Sequence, residues 1–128
     1  MIRVISSLLI GCAASMASAE EKLLSSADIE TLFQGATIKG LHYGVETRQY
    51  FSTSGLTLWI KEGDATPSEA RYKIEDDQYC SSWTGLWAEE EYGCFSVAQD
   101  ADQGLYYFLS DGFRAPFVLN DGFDLSFD

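Results

Sequence analysis

Few side chains in this chain could do chemistry, and their spacing narrows what that chemistry could be. His42, the only histidine, stands in Leu41-His42-Tyr43-Gly44 with no motif around it. A Ser-His-Asp or Cys-His nucleophile needs a histidine to take its proton, so any such site would be built on His42. A histidine at the edge of a sheet explains the same residue without catalysis. Gly-x-Ser-x-Gly, His-Glu-x-x-His and phosphate-loop patterns do not occur in the sequence. Glycosidase chemistry needs two carboxylates placed on either side of a bond. Twenty Asp and Glu residues offer no local pair that stands out. The residues thus predict a protein that is not an enzyme.

Metal chemistry fares no better. Asp100-Ala101-Asp102-Gln103-Gly104, with Asp111 at the twelfth position, superficially resembles a calcium loop. Such a loop wants Gly at position six and flanking helices. Here Gly104 is fifth and both flanks read as strands, so a polar hairpin turn is expected, with no metal and no other cofactor.

Three cysteines, Cys12, Cys80 and Cys94, raise the question of compartment. Arg3, the mostly apolar stretch Val4 to Ala14, and Ala17-Ser18-Ala19 before Glu20-Glu21 form a secretory leader with a small-x-small cleavage site. The apolar run is well short of the about 20 residues that span a bilayer. Residues 1–19 are therefore read as a signal peptide and 20–128 as a single β-rich domain, periplasmic or secreted. Leu9-Ile10-Gly11-Cys12 has the shape of a lipoprotein site, which would anchor the chain through Cys12. It lies very early, and the Ala-x-Ala site follows it. Cleavage after Ala19 leaves Cys80 and Cys94, an even count in an oxidising compartment, and so one expected disulfide. The 15-residue loop it closes would be worth about 3 kcal/mol in the chain-entropy model. A zinc or redox pair would want Cys-x-x-Cys or a neighbouring histidine, and neither is present.

The bridged segment is also where aromatic and acidic residues crowd. Tyr79, Trp83, Trp87 and Tyr92 surround Glu89-Glu90-Glu91. A Trp packed on a disulfide is a common core device in small β domains. Trp and Tyr are equally favoured as interface anchors, and a like-charge run is usually a solvated loop. Trp83, Trp87, Glu89, Glu90, Glu91 and Tyr92 together form the candidate binding patch. Formal net charge is −12 over the whole chain, and −13 once Arg3 leaves with the leader. That charge argues against nucleic acid, whose phosphates need clustered cations, and against anionic lipid. A partner, on this reading, is a basic envelope or secreted protein, for example a cationic enzyme of the lysozyme kind that the domain would inhibit.

The elements that must position these residues are mostly strands. A hydrophobic content of 46% is too rich for disorder. One helix is predicted over Ser26 to Gln34, capped by Ser25 or Ser26, with Ile29, Leu32 and Phe33 on one face and Gly35 beyond its end. Strands are predicted at 36–42, 46–53, 56–62, 70–75, 78–83, 92–98, 105–110, 113–119 and 123–127, separated by Gly, Asp, Asn and Ser turns. Leu56, Leu58 and Ile60 share one face, as do Phe123, Leu125 and Phe127. Leu105 to Leu109 is apolar on both faces, either a covered central strand or an exposed aromatic patch. Leu109-Ser110-Asp111-Gly112-Phe113 recurs as Leu119-Asn120-Asp121-Gly122-Phe123, which reads as two hairpin turns of one type. Without crossover helices the strands must pair antiparallel. The expected fold is all-β, a small antiparallel barrel or sandwich in meander order, with one short N-terminal helix.

Ala36-Thr37-Ile38-Lys39-Gly40, Tyr50 to Gly55, Arg71 to Trp83 with Cys80-Ser81-Ser82-Trp83, and Gly93-Cys94-Phe95-Ser96-Val97 form a recurring pattern. It resembles a family of small secreted proteins of alphaproteobacteria, a domain of unknown function with a Cys-x-x-Trp…Cys core. Tyr72 stands where that family usually has Trp. The resemblance implies the Cys80–Cys94 bridge and the strand order, and no activity. Lipocalin-like carriers place Gly-x-Trp on their first strand, whereas Gly85-Leu86-Trp87 is mid-chain. A small barrel can still hold a ligand, so the alternative function is carriage of a small apolar molecule. That function requires a cavity of a few hundred Å³ lined by aromatic side chains.

Overall fold

The computed structural model describes residues 21–83 and 91–127. The expected leader, residues 1–19 with Cys12, lies outside them, as do Trp87, Glu89 and Glu90. A short strand β1 (Lys22–Leu23) leads into the helix α1 (Ser26–Phe33). Ser25 caps it, its hydroxyl accepting the Asp28 N–H at 3.2 Å. Gly35, with φ +74°, turns the chain out of the helix. Eight residues do not hold a helix alone in water. Burial supplies what propensity lacks, since Ile29 and Phe33 are fully buried.

Eight strands follow: β2 (Ala36–His42), β3 (Val45–Phe51), β4 (Leu56–Lys61), β5 (Ser68–Glu75), β6 (Gln78–Ser82), β7 (Gly93–Asp100), β8 (Leu105–Ser110) and β9 (Phe113–Asp121). Each pairs antiparallel with the next, and β9 returns to β2 through pairs such as Gly40 with Phe117. The meander therefore closes as a barrel rather than a sandwich. β1 pairs with β7 at Lys22–Gln99 and Leu23–Ala98. Tight hairpins enforce this order. Tyr43 and Gly44, at φ +52° and +83°, and Asp76 and Asp77, at +53° and +60°, have the two positive φ values of a twisted two-residue turn. Gly40 lets two strands approach closely: a Cβ there would lie 3.0 Å from the Pro116 carbonyl oxygen.

The helix plugs one end of the barrel. The Phe33 ring stacks on Phe51 at 4.1 Å and meets Tyr79, Phe108 and Phe117 at 5.7 to 6.0 Å. These rings come from β3, β6, β8 and β9, so Phe33 sits on the barrel axis rather than against an outer face. Asp77 and Ser26 lock the plug to the β5–β6 turn through two bonds, Ser26 N–H to Asp77 Oδ1 (2.7 Å) and Asp77 N–H to Ser26 Oγ (2.8 Å).

Three expectations are corrected. Residues 123–127 are not a strand but an extended tail laid on the outside of β2 and β3. Thr37 Oγ1 donates to Gly122 O and accepts Asp124 N–H, Arg48 Nε donates to Ser126 O, and the Arg48 guanidinium lies 4.4 Å above the Phe127 ring. The two Asp-Gly echoes therefore differ: the first turns a hairpin, while the second releases the tail. Leu105 to Leu109 is neither wholly covered nor an open patch. Tyr106 and Phe108 face the core, Leu105, Tyr107 and Leu109 are half-buried, and the Arg114 guanidinium covers Tyr107 at 3.8 Å. Cys80 and Cys94 are direct partners across β6 and β7, their sulfurs 2.09 Å apart at disulfide distance. Among the described residues no helix is long and apolar enough to cross a membrane.

Candidate functional site

Phe33 and its neighbours fill one half of the barrel, and the other half is hollow. Strand alternation sends every second side chain inward. At the end away from the helix these side chains leave a cavity of about 350 Å³. His42, the last residue of β2, Trp59 from β4, Phe95 from β7 and Phe113, the first of β9, form its wall. Trp83, just past β6, stands at its mouth and is 41% exposed. The rings make a near-continuous belt. Trp83 meets Trp59 at 6.4 Å, Trp59 meets His42 at 5.8 Å, His42 meets Phe113 at 5.8 Å and Phe113 meets Phe95 at 5.4 Å. Tyr43, almost fully exposed in the β2–β3 turn, adds a ring 5.8 Å from Phe113.

The floor is polar. Gln49 Nε2 donates to Thr57 Oγ1 and to the Tyr79 hydroxyl, both at 2.9 Å, and Thr57 Oγ1 donates to Tyr50 O. Gln49, Thr57 and Tyr79 are all buried. Burial pushes the Tyr79 hydroxyl up to about 12, so it stays neutral. Ser68 and Ser81 also reach the cavity, and Ser81 Oγ accepts the Trp83 indole N–H at 2.8 Å. Burial holds the His42 imidazole below its ordinary value, which favours the neutral ring. Carboxylates, ammonium groups and guanidinium groups are absent from the described lining. The Trp59 N–H is buried with no acceptor among the described residues. An unmet donor costs about 1–3 kcal/mol, and such costs concentrate where a wall is shaped for something besides stability.

The patch expected from sequence is only partly brought to this mouth. Trp83 does not pack on the disulfide: alternation turns Cys80 outward and Tyr79, Ser81 and Trp83 inward. Tyr92 lies outside, its ring 4.2 Å under the Lys73 ammonium, and Glu91 is exposed. Trp87, Glu89 and Glu90 lie outside the described residues. His42 has rings for neighbours in the wall, Trp59 and Phe113, rather than a nucleophile. In the calcium-like run, Asp100 Oδ1 accepts the Gln103 N–H at 3.3 Å, a turn bond. Among the described residues no group of three His, Cys, Asp or Glu is placed to hold a metal.

No motif marks Gln49, Trp59 or Ser68, and Ser81, Phe95 and Phe113 fall only in patterns read as structural. One signal was available. On β4 the apolar stripe Leu56, Leu58 and Ile60 faces out and is only half-buried, whereas Thr57 and Trp59 face in. Polar residues on the inner face of a small barrel are the mark of an interior that is not simply packed.

Comparison with family models, with curated proteins and with solved structures finds no match to this chain.

Proposed function

We propose that the protein is an exported, non-enzymatic binder of one small, largely apolar ligand, held in the open half of the barrel. The observation that carries this reading is the belt of rings from His42 to Trp83 around a cavity of about 350 Å³ whose described lining carries no charged side chain and whose floor is hydrogen-bonded. An up-and-down barrel of about eight strands is either just filled by its own side chains or holds one small molecule. A dry cavity of about 150 Å³ accepts benzene, so the space here suits a body of roughly two or three fused rings. Mostly aromatic walls with a few fixed polar groups are the usual composition of such pockets. The expected leader and the Cys80–Cys94 pair support an extracytoplasmic setting. A basic protein partner has less support, because Trp83, one residue of the candidate patch, turns toward the cavity.

The test is a titration with 1-aminoanthracene, a neutral fluorescent three-ring probe. One molar equivalent should bind with energy transfer from tryptophan. Ser68→Phe, which fills the cavity from the start of β5, should abolish binding while the far-ultraviolet circular dichroism stays unchanged. Failure of the wild type to bind this or any comparable ring compound would contradict the reading.

A further inference from the structure

Resting on that reading, we propose that the ligand is an amphipathic organic cation, an alkyl- or quaternary ammonium group carried on an apolar body. The lining treats the three possible ligand charges differently. An anion would lose its water and gain no cationic partner, since the described lining contains neither lysine nor arginine and its histidine is held neutral. A neutral body would fit and could be oriented by Ser68, Ser81 and the floor, but none of the ring faces would favour it over a cation of the same shape. A cation would be met by π faces. Trp59 and Trp83 stand at 73° to each other, and His42 and Phe113 at 82°, so the belt presents rings in crossed pairs rather than one flat stack. Crossed aromatic walls of this kind hold quaternary ammonium groups through the ring quadrupole and ask for no hydrogen bond from the ligand.

The surrounding charge has the same sign of preference. The segments joining the wall strands carry Glu62 and Asp64 between β4 and β5, Glu91 ahead of β7 and Asp111 between β8 and β9. Lys61, beside Glu62 on that rim, is tied to Asp64 at 2.8 Å. With a chain charge of −12, the negative potential focuses into a low-dielectric cleft and enriches cations there.

The experiment uses three probes of nearly one size on the folded protein: benzyltrimethylammonium, its uncharged carbon isostere neopentylbenzene, and benzenesulfonate. Binding is read by calorimetry and tryptophan fluorescence. The cation should bind about tenfold or more tighter than the isostere, and the sulfonate should not bind. Trp83→Leu should bring the cation-to-isostere ratio close to one while the isostere still binds. Equal or tighter binding of the isostere to the wild type would overturn the cation assignment and leave the carrier reading standing. Binding of none of the three would remove both. A cation preference that vanished at about 1 M salt, where screening acts within about 3 Å, would assign it to the surface field and overturn the role of the rings.

Discussion

The indole ring of Trp83 meets that of Trp59 edge to face at the barrel mouth, with centroids 6.4 Å apart. Trp59 comes from the inner face of β4 and Trp83 from the end of β6, so the pair joins two strands that are not neighbours. One ring is half-buried and the other is 41% exposed. Trp83→Ala removes a contact worth about 0.5–1.5 kcal/mol and one wall of the mouth. We expect a small loss of stability in a urea titration. We also expect a fall of about tenfold in affinity for 1-aminoanthracene, the loss of an aromatic anchor being worth well over 1 kcal/mol. Unchanged affinity would place the ligand elsewhere.

His42 makes the mouth sensitive to acid. Burial lowers its pKa in the folded chain from a usual value of 6.5. The unfolded chain therefore takes up the proton first. This stabilising contribution is constant above about pH 6.5 and is lost as pH falls from there through the folded value. Denaturation midpoints should drop across that window, and His42→Phe, which keeps a ring in the belt, should flatten the slope. A wild-type profile no steeper than that of the variant would contradict the assignment.

The floor bonds predict a coupled pair. Tyr79→Phe deprives Gln49 Nε2 of one of its two acceptors, at a cost of about 1–2 kcal/mol. Gln49→Leu leaves the Tyr79 hydroxyl short of a partner at a similar cost. The double variant should lose less than the sum of the two, by about 0.5 kcal/mol or more. Simple additivity would show that the network seen here does not act as a unit.

Most of the strands were legible in the sequence, and the interior was not. The spans 36–42 and 105–110 match β2 and β8 because turn residues bracket them, and the meander followed from the lack of crossover helices. Residues 123–127 alternate as a strand would, yet Asp124 N–H donates to the Thr37 hydroxyl and Ser126 O accepts from Arg48 Nε, side chains rather than a neighbouring backbone. Period alone cannot separate those two ways of being half-buried. Trp59 was hidden by its neighbours, since Leu56, Leu58 and Ile60 make the opposite face of β4 look like the core. From sequence His42 reads as a possible base or a residue at a sheet edge, and its place in a ring wall depends on β9 closing back onto β2.

The cysteine pair should be separable from the cavity. Cys80 and Cys94 face outward between β6 and β7, while the rings face in. Replacing both by Ala should cost about 3 kcal/mol in a urea titration under oxidising conditions. Affinity for 1-aminoanthracene at temperatures well below the transition should remain within about twofold, because no contact in the belt involves either sulfur. A large loss of affinity with the fold intact would tie the bridge to the site.

The most direct measurement is a map of amide and aromatic proton chemical shifts on titrating 1-aminoanthracene into the protein. Saturable changes should be confined to the open half of the barrel, strongest at His42, Trp59, Trp83, Phe95 and Phe113. Ile29 and Phe33, at the plugged end, should stay still. Changes scattered over the outer face, or none at millimolar probe, would contradict it.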